Sequence, residues 1–484
     1  MQGMTTQTYS MQVAGKSVDG PDTFDITNPY TGQVVGTTSW ATPDQVEDAV
    51  RAAHELRDEA AALPVHVRAD ALLSISRRIS ERAEELAQLI TAENGKPILW
   101  SRGEVGRAVS VFRLASEEAR RWSGEAMRLD TDKAGEGRMA YVRKVPKGPV
   151  LAISPFNFPL NLVAHKVAPA IAVGAPVVLK PAPKTPLSAL VLAEIVAETD
   201  LPTAMLSVVN VPNDVAPSLV ADERLPVVSF TGSGPVGWKI QESVPHKHVT
   251  LELGGNAAAV LCSDWTSADD LDWAATRIAT YSNYQAGQSC IGVQRVFVHE
   301  GVYDAFRSRL VAAVEALGVG DPADEATQVG PVINEEAAER IVAWVDEAVK
   351  GGATVLTGGG REGTSVEPTV LEGVAAQDKV SCEEVFGPVV FIESVPDDDA
   401  AFAKVNSSPF GLQAGVFTHR LQTAFRAHRE LEVGGVIIGD VPSYRADQMP
   451  YGGVKDSGVG REGVRYAMED YVYERVMVLT GLTL

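Results

Sequence analysis

Cysteine is scarce. Three occur in 484 residues, Cys262, Cys290 and Cys382. So few thiols, in odd number, argue against a disulfide framework and fit a reducing, cytoplasmic setting. Histidine is also sparse, with eight scattered residues of which His246 and His248 are the close pair. No His/Cys group has zinc spacing, so no metal is expected. Positive charge is in deficit: 42 Lys and Arg against 63 Asp and Glu leave a formal net charge of −21. That argues against nucleic acid or an anionic membrane surface as the main partner. A few local arginines could still hold a small anion. Long apolar runs are missing as well. "VAPAIAVGAPVVL" is too short and too broken by Pro and Gly to cross a bilayer. The N-terminal "MQGMTTQTYSMQVAGKSVDG" has no basic stretch followed by an apolar one, so no secretory leader is expected. Internal repeats and low-complexity segments are not apparent.

Hydrophobic residues at 45% and charged residues at 22% describe an ordinary globular chain, long enough for two or three domains. "TPDQVEDAVRAAHELRDEAAAL" opens on a Thr-Pro cap signal and carries helical periodicity. Two more amphipathic helices are predicted near 66–93 and 102–123, then a hairpin over 126–147. Short apolar strands then alternate with helices: "PVLAIS", "APVVLK", "LSVVNV" and "PVVSFTG". That alternation predicts a parallel sheet covered on both faces, as in a nucleotide-binding α/β domain. After "TLELGG" the alternation restarts with "NAAAVLC", a helix from about 267, "VQRVFVH", a helix from Val302, "VVFIESV", "AGVFT" and "GGVIIG". The fold class is therefore α/β, with two doubly wound, Rossmann-like units. The tail "YVYERVMVLTGL" reads as a strand with little of its own chain to pair with. A bare edge strand invites another chain, so an oligomer is expected.

Four stretches could carry chemistry. In "NYQAGQSCIGVQRVFVH" the small neighbours of Cys290 leave its sulfur open to a substrate; an inert packing thiol is the alternative. In "VTLELGGNAA" Glu252 ends a strand and could reach a cleft at the sheet's carboxyl edge, or simply be a solvated charge. In "ISPFNFPLNL" the Asn157 amide could donate to an oxyanion, or Asn157 could cap the next helix. "VSFTGSGPVG" is a strand, a Gly-Ser turn and a helix start whose backbone amides suit a pyrophosphate. Its glycine spacing alone is weak evidence.

The order of these stretches resembles the aldehyde dehydrogenase superfamily. Its P-[WF]-N-F-P motif is matched by Pro155 to Pro159, its Lys-Pro strand end by Val178 to Pro181, and F-T-G-S by Phe230 to Ser233. E-L-G-G is matched by Glu252 to Gly255, G-Q-x-C by Gly287 to Cys290, E-E-[VI]-F-G-P by Glu383 to Pro388, and P-[YF]-G-G by Pro450 to Gly453. The resemblance covers nearly the whole chain. It implies an NAD(P)-binding domain over 1–125 and 148–253, a catalytic domain over 254–440, and an oligomerisation segment over 126–147 and 466–484. A homodimer or homotetramer follows from it.

By the same resemblance Cys290 is the nucleophile, Glu252 the general base and Asn157 an oxyanion donor. Ile153, Ser154, Pro155, Phe156, Lys180, Ala182, Pro183, Gly232, Ser233, Leu253, Glu384 and Phe386 would line the cofactor site. Phe158, Tyr284, Ser289 and Ile291 would border the aldehyde, with Arg107 and Arg445. A hydrolytic rather than a coenzyme-A-acylating reaction is implied, because Glu252 supplies a base for water. The Glu252–Cys290 spacing looks a few residues longer than the family's, and "DWTSADD" is the expected place of a surface insertion.

In the family a Glu three residues after the lysine commonly disfavours a 2′-phosphate. Here Pro183 occupies that position, so NAD or NADP is permitted, with a lean to NADP. Arg107 and Arg445 fall where the family places apolar or aromatic residues. They suggest a short anionic aldehyde, such as succinate semialdehyde, glyceraldehyde 3-phosphate or phosphonoacetaldehyde. Alternatively, Arg107 pairs with Glu104 or another helix carboxylate and faces solvent. Two other functions stay open: a catalytically silent binding or structural homologue, and a cysteine hydrolase. The latter needs a His beside the thiol. His165, the histidine nearest a motif, is expected in the core.

Overall fold

The computed structural model describes residues 7–481. The outer ends of the expected 1–125 and 466–484 segments, and the start of the stretch read for a leader, lie outside the described residues.

The larger sheet has the spatial order Lys16–Val18, Met11–Val13, Leu206–Val208, Val177–Lys180, Val150–Ile153, Val227–Thr231, His248–Glu252, Gly458–Val459. Its five central strands run parallel, and the edge strands are antiparallel. Val150–Ile153 and Val177–Lys180 are buried at every position. That is why they read as unbroken apolar runs rather than as alternation. The helix Asn161–Val173 between them is likewise buried throughout.

A second sheet has the order Thr354–Thr357, Thr369–Glu372, Val389–Val395, Arg295–His299, Ala258–Leu261, Gln413–Phe417, Gly435–Ile438. It is parallel except at its first pair. The two α/β units expected from the alternation are thus both present. A third, antiparallel sheet joins Val472–Thr480, Arg138–Pro146 and Glu125–Arg128.

Several expectations need correction. Four short strands that the periodicity did not predict, Met11–Val13, Lys16–Val18, Thr23–Thr27 and Val34–Ser39, precede the first helix, Pro43–Ala62. Met11–Val13 and Lys16–Val18 have three residues each, too short to show alternation, and beyond their mutual pairing they join the larger sheet only through Gln12↔Val208. The helix predicted over 66–93 is two helices, Val65–Glu81 and Ala83–Asn94, broken at Arg82 (φ −102, ψ 20). No Pro or Gly marks that break, so the apolar periodicity ran across it. The helix predicted over 102–123 is Ile98–Arg121, starting just after Pro97.

The terminal strand does have a partner in its own chain. Val472–Thr480 pairs with Arg138–Pro146 in an unbroken register from Val472↔Pro146 to Thr480↔Arg138. Residue 466 falls inside the helix Val464–Asp470, so the segment's strand begins later than expected. The "DWTSADD" stretch lies at the surface, with Thr266 to Asp269 exposed, and is anchored at its ends. Trp265 is buried against Phe417 and stacks on His419, and Ser267 forms a capping box with Asp270.

Candidate active site

Parallel strands deliver their carboxyl ends to one edge of a sheet. The registers Ile153↔Lys180, Phe230↔Ile153 and Thr231↔Glu252 set Lys180, Ile153, Thr231 and Glu252 in a row along that edge. A cavity of about 710 Å³ opens over it. Every residue expected at the cofactor lines this cavity, from Ile153, Ser154, Pro155 and Phe156 through Lys180, Ala182 and Pro183. Gly232, Ser233, Leu253, Glu384 and Phe386 complete that set, and Asn157, Glu252 and Cys290 line the same space.

Cys290 reaches the cavity on a strained loop. After the helix Ala268–Asn283, Gln285 (φ 54, ψ 35) and Ala286 (φ 53, ψ 37) are both left-handed. For residues with a Cβ this costs about 1–2 kcal/mol each. Side-chain amides hold the turn in place. Gln285 Nε2 donates to the Asn157 carbonyl, and Gln288 Nε2 donates to the Gln285 carbonyl at 3.1 Å. Gln288 Oε1 accepts from the Ile333 N–H at 2.9 Å.

Asn157 is not a helix cap. The helix it precedes starts at Asn161, and its first amides, Leu160 and Asn161, donate to Glu104 Oε1 at 2.9 and 3.0 Å. The buried Lys96 ammonium pairs with the other oxygen of Glu104. Relieved of capping, Asn157 directs its Nδ2 to the Gln288 carbonyl at 3.1 Å, two residues before the thiol. Its second amide hydrogen remains for another acceptor.

The Cys290 sulfur lies 3.0 Å from the Tyr451 hydroxyl. Burial pushes the thiol up to about 12; Tyr451 and Arg445 oppose this, while the charges of Glu384 and Glu252 add to it. Among the described residues no histidine is bonded to the sulfur: His165 is buried in the helix Asn161–Val173 and bonded to Asp447. Burial lowers His165 to about 4, so the ring is neutral near neutral pH. A cysteine hydrolase of the Cys-His type is thereby disfavoured.

Glu252 is buried, and neither carboxyl oxygen has a hydrogen-bond partner among the described residues. Burial, then the charge of Glu462, raises its pKa well above the carboxylate range, against Arg445, Lys166 and Arg461. The carboxyl rests over Gly452, where a Cβ would meet Oε1 at 2.9 Å. That contact accounts for one glycine of the P-Y-G-G motif.

Glu384 accepts from the Gly255 N–H at 3.0 Å, and burial lifts it to about 7. It approaches so closely that a Cβ at Gly254 would lie 2.2 Å from Oε2, so the E-L-G-G glycine makes room for it. Phe386 (φ 49) sets its ring edge-on to Phe156 at 5.8 Å. Lys180 donates to Asn213 Oδ1 at 2.9 Å, and burial lowers it to about 8. It has no carboxylate partner among the described residues.

The residues expected at the aldehyde sit apart from the large cavity. Tyr284 donates to Ser289 Oγ at 2.7 Å and packs on Trp100, Tyr281 and Phe158. Ile291 is buried with Leu412 and Tyr451, next to Cys290. Arg445 is buried. Its guanidinium lies 3.7 Å from the Tyr451 ring centroid and bonds Glu462 at 3.1 Å, with Nε unpartnered. Arg107 does find a carboxylate, but it is Asp447 on a distant segment and not Glu104. Burial raises the Tyr284 phenol, and the Arg107 charge works against that shift.

Sequence reasoning missed Tyr451, Asn213, Asp447, Lys166 and Glu462. The Tyr in P-Y-G-G was a visible signal, being a hydroxyl at a position the motif also fills with Phe. The others carry no local signal, because their partners are far along the chain.

No helix among the described residues is long and apolar enough to cross a membrane, and no metal-binding cluster occurs among them. A model of the aldehyde dehydrogenase family matches residues 16–477. The chain is 42% identical to the 3-sulfolactaldehyde dehydrogenase of Priestia aryabhattai, over 97% of this chain and 98% of that one. Its structure resembles that of aldehyde dehydrogenase 21 from Physcomitrella patens in complex with the reaction product succinate. That match has 45% identity and a TM-score of 0.97 over 99% and 100% of the two chains. It also resembles an NADP-dependent glyceraldehyde-3-phosphate dehydrogenase from Bacillus halodurans complexed with NADP. There the identity is 35% and the TM-score 0.94, over 98% and 99% of the chains. The protein belongs to the aldehyde dehydrogenase family.

Proposed function

We propose that this NAD(P)-dependent aldehyde dehydrogenase oxidises a short anionic aldehyde to its acid, with Cys290 as nucleophile, Glu252 as base and Asn157 as oxyanion donor. The sulfur attacks the aldehyde carbon, and the carbonyl electron pair moves onto oxygen. The free Asn157 amide hydrogen and the Cys290 backbone N–H hold that oxygen. Losing one such donor typically costs about a hundredfold or more in rate. A nicotinamide held in the cavity would supply the acceptor for the hydride that leaves the carbon, giving the thioester on Cys290. Glu252 then removes a proton from water, which attacks the thioester and frees the acid.

The cavity's chemistry fits NAD or NADP. Lys180 offers a buried cation to a phosphate or ribose, Ser233 heads a helix suited to the pyrophosphate, and Glu384 waits beside the Gly255 amide. Lys180 lacks a counter-charge and Pro183 supplies none, which favours NADP.

The carrying observation for the substrate is two arginines outside the lining of the large cavity: Arg107, bonded to Asp447, and Arg445, bonded to Glu462 and stacked on the Tyr451 ring that touches Cys290. The Priestia relative is named for a sulfonated aldehyde, and the Physcomitrella structure holds succinate. We assign this chain the same class, a small aldehyde with an anion at its far end. The intact triad weighs against a catalytically silent homologue.

The same reading gives 1–125 and 148–253 to cofactor binding and 254–440 to catalysis. Self-association falls to the sheet of Glu125–Arg128, Arg138–Pro146 and Val472–Thr480. Succinate semialdehyde, 3-sulfolactaldehyde and a neutral aldehyde of equal length, each tried with NAD and NADP, provide the test. The charged substrates should win clearly in kcat/KM. Equal rates for the neutral compound would overturn the substrate class. Retained activity in Cys290→Ser would overturn the mechanism.

A further inference from the structure

The thiol that must attack is held as a thiol by its surroundings. Among the described residues, one side-chain hydroxyl reaches its sulfur: Tyr451 Oη, at 3.0 Å. Tyr451 is buried and cannot easily swing away. Its backbone is clamped to Glu462 in both directions, with the Tyr451 N–H on the Glu462 carbonyl at 3.0 Å and the Glu462 N–H on the Tyr451 carbonyl at 2.6 Å. The Arg445 guanidinium covers the ring face at 3.7 Å. A cation there draws electron density from the ring, which makes the phenolic O–H a stronger donor. Charged groups facing the sulfur are Glu384, Arg445 and Glu252; those facing the phenol are Arg445 and Glu252.

We propose that Tyr451 is a catalytic residue whose O–H donates to the Cys290 sulfur and stabilises its thiolate, with Arg445 polarising the ring from behind. This rests on the reading of Cys290 as nucleophile. The thiol proton departs to water, and Tyr451 keeps its own. The sulfur lone pair then forms the S–C bond while the carbonyl electrons move to oxygen. With that lone pair committed, the hydrogen bond weakens and the phenol is released. A hydrogen bond to an anion is worth more than one to a neutral group, so the donor selectively favours the reactive form. Arg445 thereby touches both chemistry and recognition: a substrate anion placed on its free Nε would lie behind the ring that holds the nucleophile.

Tyr451→Phe retains the ring and the Arg445 stack and removes the donor. The pH profile of iodoacetamide inactivation of the full-length enzyme reports thiolate formation without needing turnover. The variant's profile should move up by about one pH unit, with inactivation near neutral pH about tenfold slower. Site-specific 3-fluorotyrosine at 451, a more acidic phenol and a better donor, should move it down. If Tyr451→Phe fails to fold, the fluorotyrosine shift decides alone. Profiles that superimpose on the unsubstituted enzyme's would overturn the role. Cys290→Ser separates the two readings: if it remains active, the nucleophile is misassigned, whereas loss of activity with an unmoved profile rejects Tyr451 alone.

Discussion

Arg107 and Asp447, far apart in the chain, meet at a single oxygen. Arg107 Nε and Nη2 lie 3.1 and 2.8 Å from Asp447 Oδ1. His165 Nε2 reaches the same atom at 3.2 Å. Burial alone would raise Asp447, yet His165 and Arg107 hold it below the usual carboxylate range. Half of the Arg107 fork is thus fixed, which aims the remaining nitrogen. Arg107→Leu should lower kcat/KM for an anionic aldehyde by about 10–100-fold, the worth of a charge-assisted hydrogen bond. A neutral aldehyde of equal length should change little. Parallel losses for both substrates would mean that Arg107 acts through structure and not through the anion.

The cofactor preference should follow the charge of Lys180. Burial lowers this lysine to about 8, with no carboxylate partner among the described residues to hold its proton. Below that value it is an ammonium and attracts a 2′-phosphate; above it, the free enzyme loses that attraction. Affinity for NADP should therefore fall relative to NAD as pH rises through about 8. Lys180→Met should flatten the trend, and Pro183→Glu should weaken NADP while sparing NAD. Titration calorimetry with each cofactor across this range checks the sign; a constant NADP-to-NAD ratio would remove Lys180 from the selection.

Much of this was legible in the sequence, for reasons that differ by element. Buried parallel strands such as "VVLK" announce themselves because both faces need apolar residues. Cys290, Glu252 and Asn157 stood in motifs that fold locally into strand ends and turns. The break at Arg82 had no breaker residue to mark it. Asn157 looked like a cap because nothing nearby in sequence hints that Glu104 does that job. Asp447 and Glu462 were invisible because their meaning lies in partners hundreds of residues away.

Lys166 and Glu462 form an ion pair with both side chains almost fully buried, at 3.1 Å. Burial alone would raise Glu462, yet Lys166 and Arg445 hold it at about 2. Removing one partner strands the other charge out of water. Glu462→Gln should cost about 3–5 kcal/mol of stability. Lys166→Met in the same chain should recover part of the loss, since the stranded ammonium is then gone. Denaturant midpoints of the two single variants and the double variant measure this. Additive losses would show that the pair is not coupled.

The strand Val472–Thr480 leaves Val476, Met477, Val478 and Leu479 exposed. Its far edge carries no strand among the described residues. Exposed apolar edges recruit another copy or aggregate. Met477→Lys with Leu479→Glu should convert an oligomer to monomer in sedimentation while the fold survives. An unchanged mass would place the interface elsewhere.

Glu252 offers two readouts with opposite slopes. Its folded pKa is raised, first by burial and then by Glu462, so in the native enzyme it keeps a proton that the unfolded chain releases. Between the unfolded and folded values the native state binds more protons. Its contribution to stability is therefore full below the ordinary carboxylate range and lost as pH rises through the folded value. Catalysis runs the other way, because only the ionised form can take a proton from water. Deacylation should quicken with pH across the window in which stability declines. Glu252→Gln removes both trends at once. It should slow steady-state turnover by about a hundredfold or more while leaving a burst of reduced nicotinamide intact, since the thioester still forms. The variant's stability relative to the unsubstituted enzyme should also improve as pH rises. A burst lost together with turnover would place Glu252 in the first chemical step, and a pH-independent stability difference would mean that the carboxyl is ionised throughout.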